Sequence, residues 1–105
     1  MNKYKIIERY DNIVKDEFFE EYLQARYDSR ASFYQKARVY KKYDSIVKVN
    51  LLYLVSYDTI VAIIDLDKDI PYIYGWYSQT TARHINEFLK QNGFKPMTKK
   101  EMLEN

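Results

Sequence analysis

The chain has 105 residues, no cysteine, 17 basic and 15 acidic side chains, and a formal net charge of +2. At this length a single domain is expected, with a core large enough to stand without a disulfide or metal staple. The lack of cysteine excludes a disulfide scaffold, a thiolate zinc site and a cysteine nucleophile, and so small a net charge selects no class of partner.

Charge is nevertheless distributed unevenly. Residues 1–29 carry five basic and seven acidic side chains (net −2), and residues 30–50 carry six and one (net +5). Residues 51–77 carry one and four (net −3), and residues 78–105 carry five and three (net +2). A local basic stripe suits phosphate or an acidic protein surface, but lysines are also a common protection for an exposed strand edge. Tyrosine occurs twelve times. It supplies large contact area at little rotamer entropy and tolerates a wet surface, so it is enriched in recognition patches. An AT-rich coding bias, which also favours Lys, Ile and Asn, accounts for the number without accounting for its use.

At the N-terminus, charges flank only Ile6 and Ile7, which is no signal-peptide core. The longest apolar stretch, Ile46 to Leu66, is interrupted by Lys48, Asn50, Asp58 and Asp65, so no span is expected and a cytoplasmic location is. Residues 3–10 are compatible with a strand or a helical turn, and the conformation of 1–15 stays open. In residues 16–27, Phe18, Phe19, Tyr22, Leu23 and Arg26 recur at helical spacing, and Asp16, Glu17, Glu20 and Glu21 load the early turns with favourable negative charge. This predicts an amphipathic helix within an N-terminal helical segment, residues 1–31.

From Lys36 the period changes to two. Lys36, Arg38, Tyr40 and Lys42 share one face of a strand, with Ala37 and Val39 on the other. Tyr43-Asp44-Ser45 reads as a turn. The run Ile46–Tyr57 then places Val47, Val49, Leu51, Tyr53 and Val55 opposite Lys48, Asn50, Leu52 and Leu54. Asp58-Thr59 connects to Ile60–Ile64, and Asp67-Lys68-Asp69 to Ile70–Tyr77, where Tyr72, Tyr74 and Trp76 share a face. Short connections between such runs imply antiparallel hairpins. Ser78 is a plausible N-cap for a helix to Asn92 with the stripe Ala82, Ile85, Phe88 and Leu89, closed by Gly93 in a Schellman arrangement. Thr98-Lys99-Lys100-Glu101 has capping-box spacing for a last short helix to about Glu104. The expected fold is a two-layer α+β domain: a four-stranded antiparallel meander over 36–77, with an N-terminal helix and C-terminal helices (78–105) packed on it.

Catalytic signals are sparse. The lone histidine, His84, lacks a zinc partner set, and a dyad with Ser78 rests on two common residues. His84 and Arg83 are expected on an exposed polar face or interaction edge. Asp65–Asp69 begins like a calcium loop, but the positions that need Gly and Glu hold Ile70 and Trp76, which favours an acidic hairpin turn. With glycine only at 75 and 93, no phosphate loop is possible. No enzyme and no cofactor are expected. Two surfaces remain as partner-binding candidates. One is the 30–48 segment, where Arg30, Lys36, Arg38, Lys41, Lys42 and Lys48 are interleaved with Phe33, Tyr34, Tyr40 and Tyr43, an arrangement suited to single-stranded nucleic acid. The other is Tyr72, Tyr74 and Trp76 with Tyr77, although about half of these rings are expected in the core; Arg83 and His84 are further partner-binding candidates. A Tyr-rich edge strand also leaves room for a homodimer.

Gly75-Trp76-Tyr77-Ser78-Gln79-Thr80-Thr81-Ala82-Arg83-His84-Ile85-Asn86-Glu87-Phe88-Leu89-Lys90-Gln91-Asn92-Gly93-Phe94 resembles the C-terminal signature of a family of small proteins encoded by phages, plasmids and integrated elements of low-GC Gram-positive bacteria. Ser32–Ala37 and Leu54–Ala62 fit the same pattern, so the resemblance covers about residues 32–101. Gln35 stands where such proteins often have Gly after Phe-Tyr, which argues against a special backbone conformation there. Some members of such families are anti-CRISPR inhibitors of the type II nuclease Cas9. The resemblance thus implies a non-enzymatic mobile-element protein whose partner is a host protein, Cas9 or its guide-RNA complex. Acidic side chains of 16–28 or 65–69 would then enter a basic channel, or the basic stripe would meet guide RNA or DNA. The alternative is a nucleic-acid-binding accessory or regulatory protein of a phage or plasmid.

Overall fold

The computed structural model describes residues 18–30, 32–45 and 48–104. An antiparallel sheet is built from β1 (Phe19–Tyr22), β2 (Ala37–Asp44), β3 (Val49–Ser56), β4 (Thr59–Asp65) and β5 (Ile70–Ile73), followed by helices α1 (Gln79–Gln91) and α2 (Lys99–Leu103). The five strands lie in chain order, each beside its predecessor. The domain is α+β, as expected, with one more strand than the alternation suggested.

Over its described part the predicted N-terminal helix gives way to the extra strand at residues 19–22 and to irregular backbone at 23–27. Residues 19–22 pair with β2 at Phe19↔Tyr40, Glu21↔Val39 and Tyr22↔Arg38, with a register shift between Phe19 and Glu21. Leu23 continues the pairing by donating its N–H to the Ala37 carbonyl at 2.8 Å. The start of the predicted helix, and residues 1–15, lie outside the described residues. The apolar stripe that suggested a helix is in fact divided between the two faces of the sheet. Leu23 enters the core beneath α1, whereas Phe18 and Phe19 pack against the opposite face. An otherwise open row of N–H and C=O groups along β2 requires a partner, and that demand overrides a modest helix propensity.

The other strands follow the period-two pattern with shifted ends. β2 runs on through Tyr43 and Asp44, which pair with Asn50 and Val49 and so belong to the strand rather than the predicted turn. β5 stops at Ile73, four residues before the predicted end at Tyr77. Its Pro71 has no N–H to offer, a usual feature of an edge strand. On β3 the alternation separates Leu51, Tyr53 and Val55 from Leu52 and Leu54 as predicted, and each set joins a different apolar cluster.

Helix α1 lies on one face of the sheet because its stripe is apolar there. Ile85, Phe88 and Leu89 pack with Val39, Leu54, Val61, Ala62, Ile64 and Ile73. Ser78 caps the helix by accepting the Thr81 N–H at 3.1 Å. At the other end, Phe94 N–H reaches the Leu89 carbonyl (2.8 Å) and Gly93 N–H the Lys90 carbonyl (3.1 Å), the Schellman pattern, with Gly93 at φ +85°. Helix α2 opens with the predicted capping box between Thr98 and Glu101 and is pinned by the buried Met102. Those bonds to Thr98 hold the Glu101 carboxyl below its ordinary value. Among the described residues no helix is long and apolar enough to cross a membrane.

Candidate binding groove

Two tight turns meet at one end of the sheet, and both carry residues that such turns normally avoid. Between Phe33 and Lys36, the Lys36 N–H returns to the Phe33 carbonyl at 3.0 Å, and the central residues Tyr34 and Gln35 have φ of +53° and +62°. Positive φ at both central positions defines a type I′ turn, where Asn-Gly is the favoured pair. The hairpin joining β3 to β4 closes with Ser56 opposite Thr59, and its first central residue, Tyr57, has φ +57°. That position usually calls for glycine. Tyr57 N–H donates to the Lys36 carbonyl at 2.7 Å, which ties the turns together.

The special backbone that Gln35 argued against is therefore present and is adopted by a non-glycine side chain. Left-handed conformations at Tyr34, Gln35 and Tyr57 cost about 1 kcal/mol or more each, and such strain concentrates at binding sites. All three residues line a single groove of about 350 Å³, together with Tyr22, Lys36, Arg38 and Asp58. Its aromatic rings face solvent: Tyr34 is 74% exposed, Tyr57 48% and Tyr22 39%.

Arg38 forms the fixed cation of the groove. One guanidinium nitrogen, Nη1, donates to the Tyr40 hydroxyl at 3.0 Å. The other, Nη2, donates to the Tyr57 carbonyl at 2.6 Å and lies 3.5 Å from Asp58 Oδ1. Tyr22 stands opposite Arg38 in the β1–β2 register.

Behind the groove lies a buried polar cluster. Ser56 Oγ is 2.9 Å from Thr81 Oγ1 and 2.8 Å from His84 Nδ1. His84 is only 1% exposed, which corrects its expected place on an exposed face. Its ring meets Phe33 edge-on at 4.7 Å between centroids and lies 5.9 Å from that of Tyr57. Burial lowers its pKa from the ordinary 6.5 to about 4, Asp28 opposing and Arg30 reinforcing the shift, so the imidazole is neutral at neutral pH. Ser56 and His84 have the contact distance of a nucleophile and base. Both side chains are buried, Ser56 at 2% and His84 at 1% exposure.

The remaining predicted residues disperse. Arg83 is committed to Asp28 at 2.8 Å. Tyr40 is buried under the groove, and Lys42 lies over the Phe18 ring at 5.0 Å. Tyr72 and Tyr74 pack on the sheet face opposite α1, whereas Trp76 packs on the α1 side, 4.2 Å from Lys99 Nζ. They do not share a face, because the strand ends at Ile73 and Gly75, at φ +151°, breaks the alternation. Asp65 accepts the N–H groups of Asp67 and Lys68, the acidic hairpin turn anticipated from sequence. Among the described residues, no group of three or more His, Asp or Glu is placed to hold a metal ion.

Lys36, Arg38 and Tyr34 of the predicted 30–48 surface line the groove; Tyr22, Gln35, Tyr57 and Asp58 join them without having been named as partner-binding residues. A Tyr-Asp pair filling a two-residue hairpin, and Gln following Phe-Tyr, were the available signals.

A family profile described as "Family of unknown function (DUF8033)" matches residues 22–104. The chain belongs to this family. The DUF8033 match spans every groove residue, from Tyr22 to Asp58, and both C-terminal helices. No curated protein and no solved structure matches the chain.

Proposed function

We propose that this chain is a non-enzymatic binding domain that takes single-stranded nucleic acid in the groove between the two turns, as an accessory protein of a mobile element acting in the bacterial cytoplasm. The observation that carries this reading is the convergence of three exposed tyrosines and two cations on one groove whose walls are held in strained backbone. Bases stack on aromatic rings whatever their sequence, and Lys36 and Arg38 supply charge for the phosphodiester backbone. The burial of Ser56 and His84 supports a binding role over a catalytic one.

Fluorescence anisotropy with a labelled short oligothymidylate tests the reading. Replacing Lys36 and Arg38 together by Glu should weaken binding by at least about tenfold at low salt, and Tyr34→Ala by about five- to a hundredfold. Unchanged affinity in both variants would remove the proposal.

The resemblance to mobile-element proteins supports a second reading, inhibition of Cas9, in which the exposed Tyr and Arg side chains act as protein-interface anchors. A complex with Cas9 that survives nuclease digestion, and loss of target cleavage with this protein in excess, are its expected results. Cleavage by several type II nucleases left intact would sink it.

A further inference from the structure

The guanidinium of Arg38 is oriented before any ligand arrives. The Tyr40 hydroxyl and the Tyr57 carbonyl accept from its two terminal nitrogens at 3.0 and 2.6 Å, which fixes the plane of the group. Its side chain keeps 25% of its exposure and lines the groove. Arginine held in this way presents donors in a rigid fork, the geometry that suits phosphate oxygens. Among the described residues, the carboxylate paired with it is that of Asp58, whose side chain is 98% exposed and whose Oδ1 lies 3.5 Å from Nη2. An ion pair that long and that exposed contributes little, so an incoming anion displaces it at small cost.

We propose that Arg38 is a phosphate-binding residue and that Asp58 is an internal competitor, a carboxylate occupying the approach to Arg38 until a phosphate group enters. This rests on the reading of the groove as a binding site and assigns roles within it: Arg38 takes a phosphate oxygen, and the Asp58 carboxylate, an anion at the same nitrogen, weakens that binding by the small amount an exposed ion pair contributes. A phosphate mono- or diester carries its own charge to the same guanidinium. The hairpin geometry favours this exchange, because the Tyr57 carbonyl that orients Arg38 and the Asp58 carboxylate that screens it are adjacent in the chain.

The test is side-chain NMR of the full chain, following the Arg38 guanidinium resonances as inorganic phosphate is added at constant ionic strength, then repeating with oligothymidylate. Phosphate is expected to shift Arg38, and Asp58→Asn to tighten that binding by about two- to fivefold, the range of one exposed ion pair. Asn retains the turn propensity of Asp, and backbone amide spectra confirm that the variant is folded. Arg38→Gln should abolish the phosphate response in either background. Equal or weaker phosphate binding by Asp58→Asn, or a response that survives Arg38→Gln, overturns the inference. The two ligands separate this inference from the reading beneath it. Phosphate binding that tightens in Asp58→Asn without any oligothymidylate binding leaves the anion site standing and removes the nucleic-acid reading. Oligothymidylate binding that ignores Asp58→Asn, with no response to phosphate, removes the anion site and keeps the nucleic-acid reading.

Discussion

At Gln35 the side chain occupies a backbone position that glycine fills without steric penalty, φ +62°, in a turn that prefers Asn-Gly. Gln35→Gly relieves that strain but also frees the unfolded chain, so the two effects oppose one another. A small net gain, up to about 1 kcal/mol, is expected in the urea midpoint. A loss above about 1 kcal/mol would show that the Gln35 side chain makes a contact worth more than the strain. His84 offers a second residue-scale expectation. Its folded-state pKa, about 4, lies below its ordinary 6.5, so the unfolded chain binds the proton more tightly. Stability is therefore full above about pH 6.5 and falls as pH drops through the window to about 4, by at most about 3 kcal/mol. His84→Asn, which keeps a hydrogen-bonding side chain without the titration, should be less stable than wild type at neutral pH. The gap should narrow on acidification; a gap constant between pH 7 and 4 would mean that His84 does not carry the effect.

Among the elements, the segment after β1 shows how a charged side chain can hold backbone in place. Glu87 of α1 is buried, and its Oε1 accepts the N–H groups of Tyr27 at 2.9 Å and Asp28 at 2.8 Å. Gln91, one turn along, donates to the Gln24 carbonyl at 2.7 Å. Together with the Arg83–Asp28 ion pair, these bonds fasten residues 24–28 to the helix. Glu87→Ala leaves two part-buried amides without their acceptor, and a loss of about 1.5–3 kcal/mol is expected. Hydrogen exchange should quicken at Tyr27 and Asp28 well beyond its change in the sheet. Uniform exchange across the domain would instead indicate that the segment opens only with global unfolding. At the far end of the same helix, Gly93→Ala, with φ +85° and no neighbouring atom in the way, should cost about 1 kcal/mol through backbone strain alone.

For the molecule as a whole, the expected signature of the groove is its salt dependence. A single-stranded ligand whose phosphates meet Lys36 and Arg38, as proposed, should lose affinity with a log–log slope near −1.4, about 0.7 for each phosphate neutralised. Anisotropy titrations across a range of salt concentrations measure it directly. A slope near zero would point to a ligand held by the tyrosines without phosphate contacts. Assembly of the groove depends on segments distant in sequence, since Tyr22 of β1, Arg38 of β2 and Tyr57 of the turn between β3 and β4 are brought side by side by the meander.

The parts of the fold legible in the sequence were those governed by local periodicity and capping. The alternation of β3, the stripe of α1, Ser78 as its N-cap, the Gly93 close and the Thr98–Glu101 capping box all depend on residues within a few positions of one another. Tertiary structure alone decided the rest. Residues 19–22 became a strand because the edge of β2 needed a hydrogen-bonding partner, a demand invisible to helical spacing. His84 went inside because Ser56, 28 positions away, meets its Nδ1. The basic stripe did not remain a stripe, since Lys42 lies over Phe18 while Lys36 and Arg38 face the groove. Composition supplied the tyrosines and cations, but long-range pairing chose which of them converge, because strand register sets the neighbours across a sheet independently of their distance along the chain.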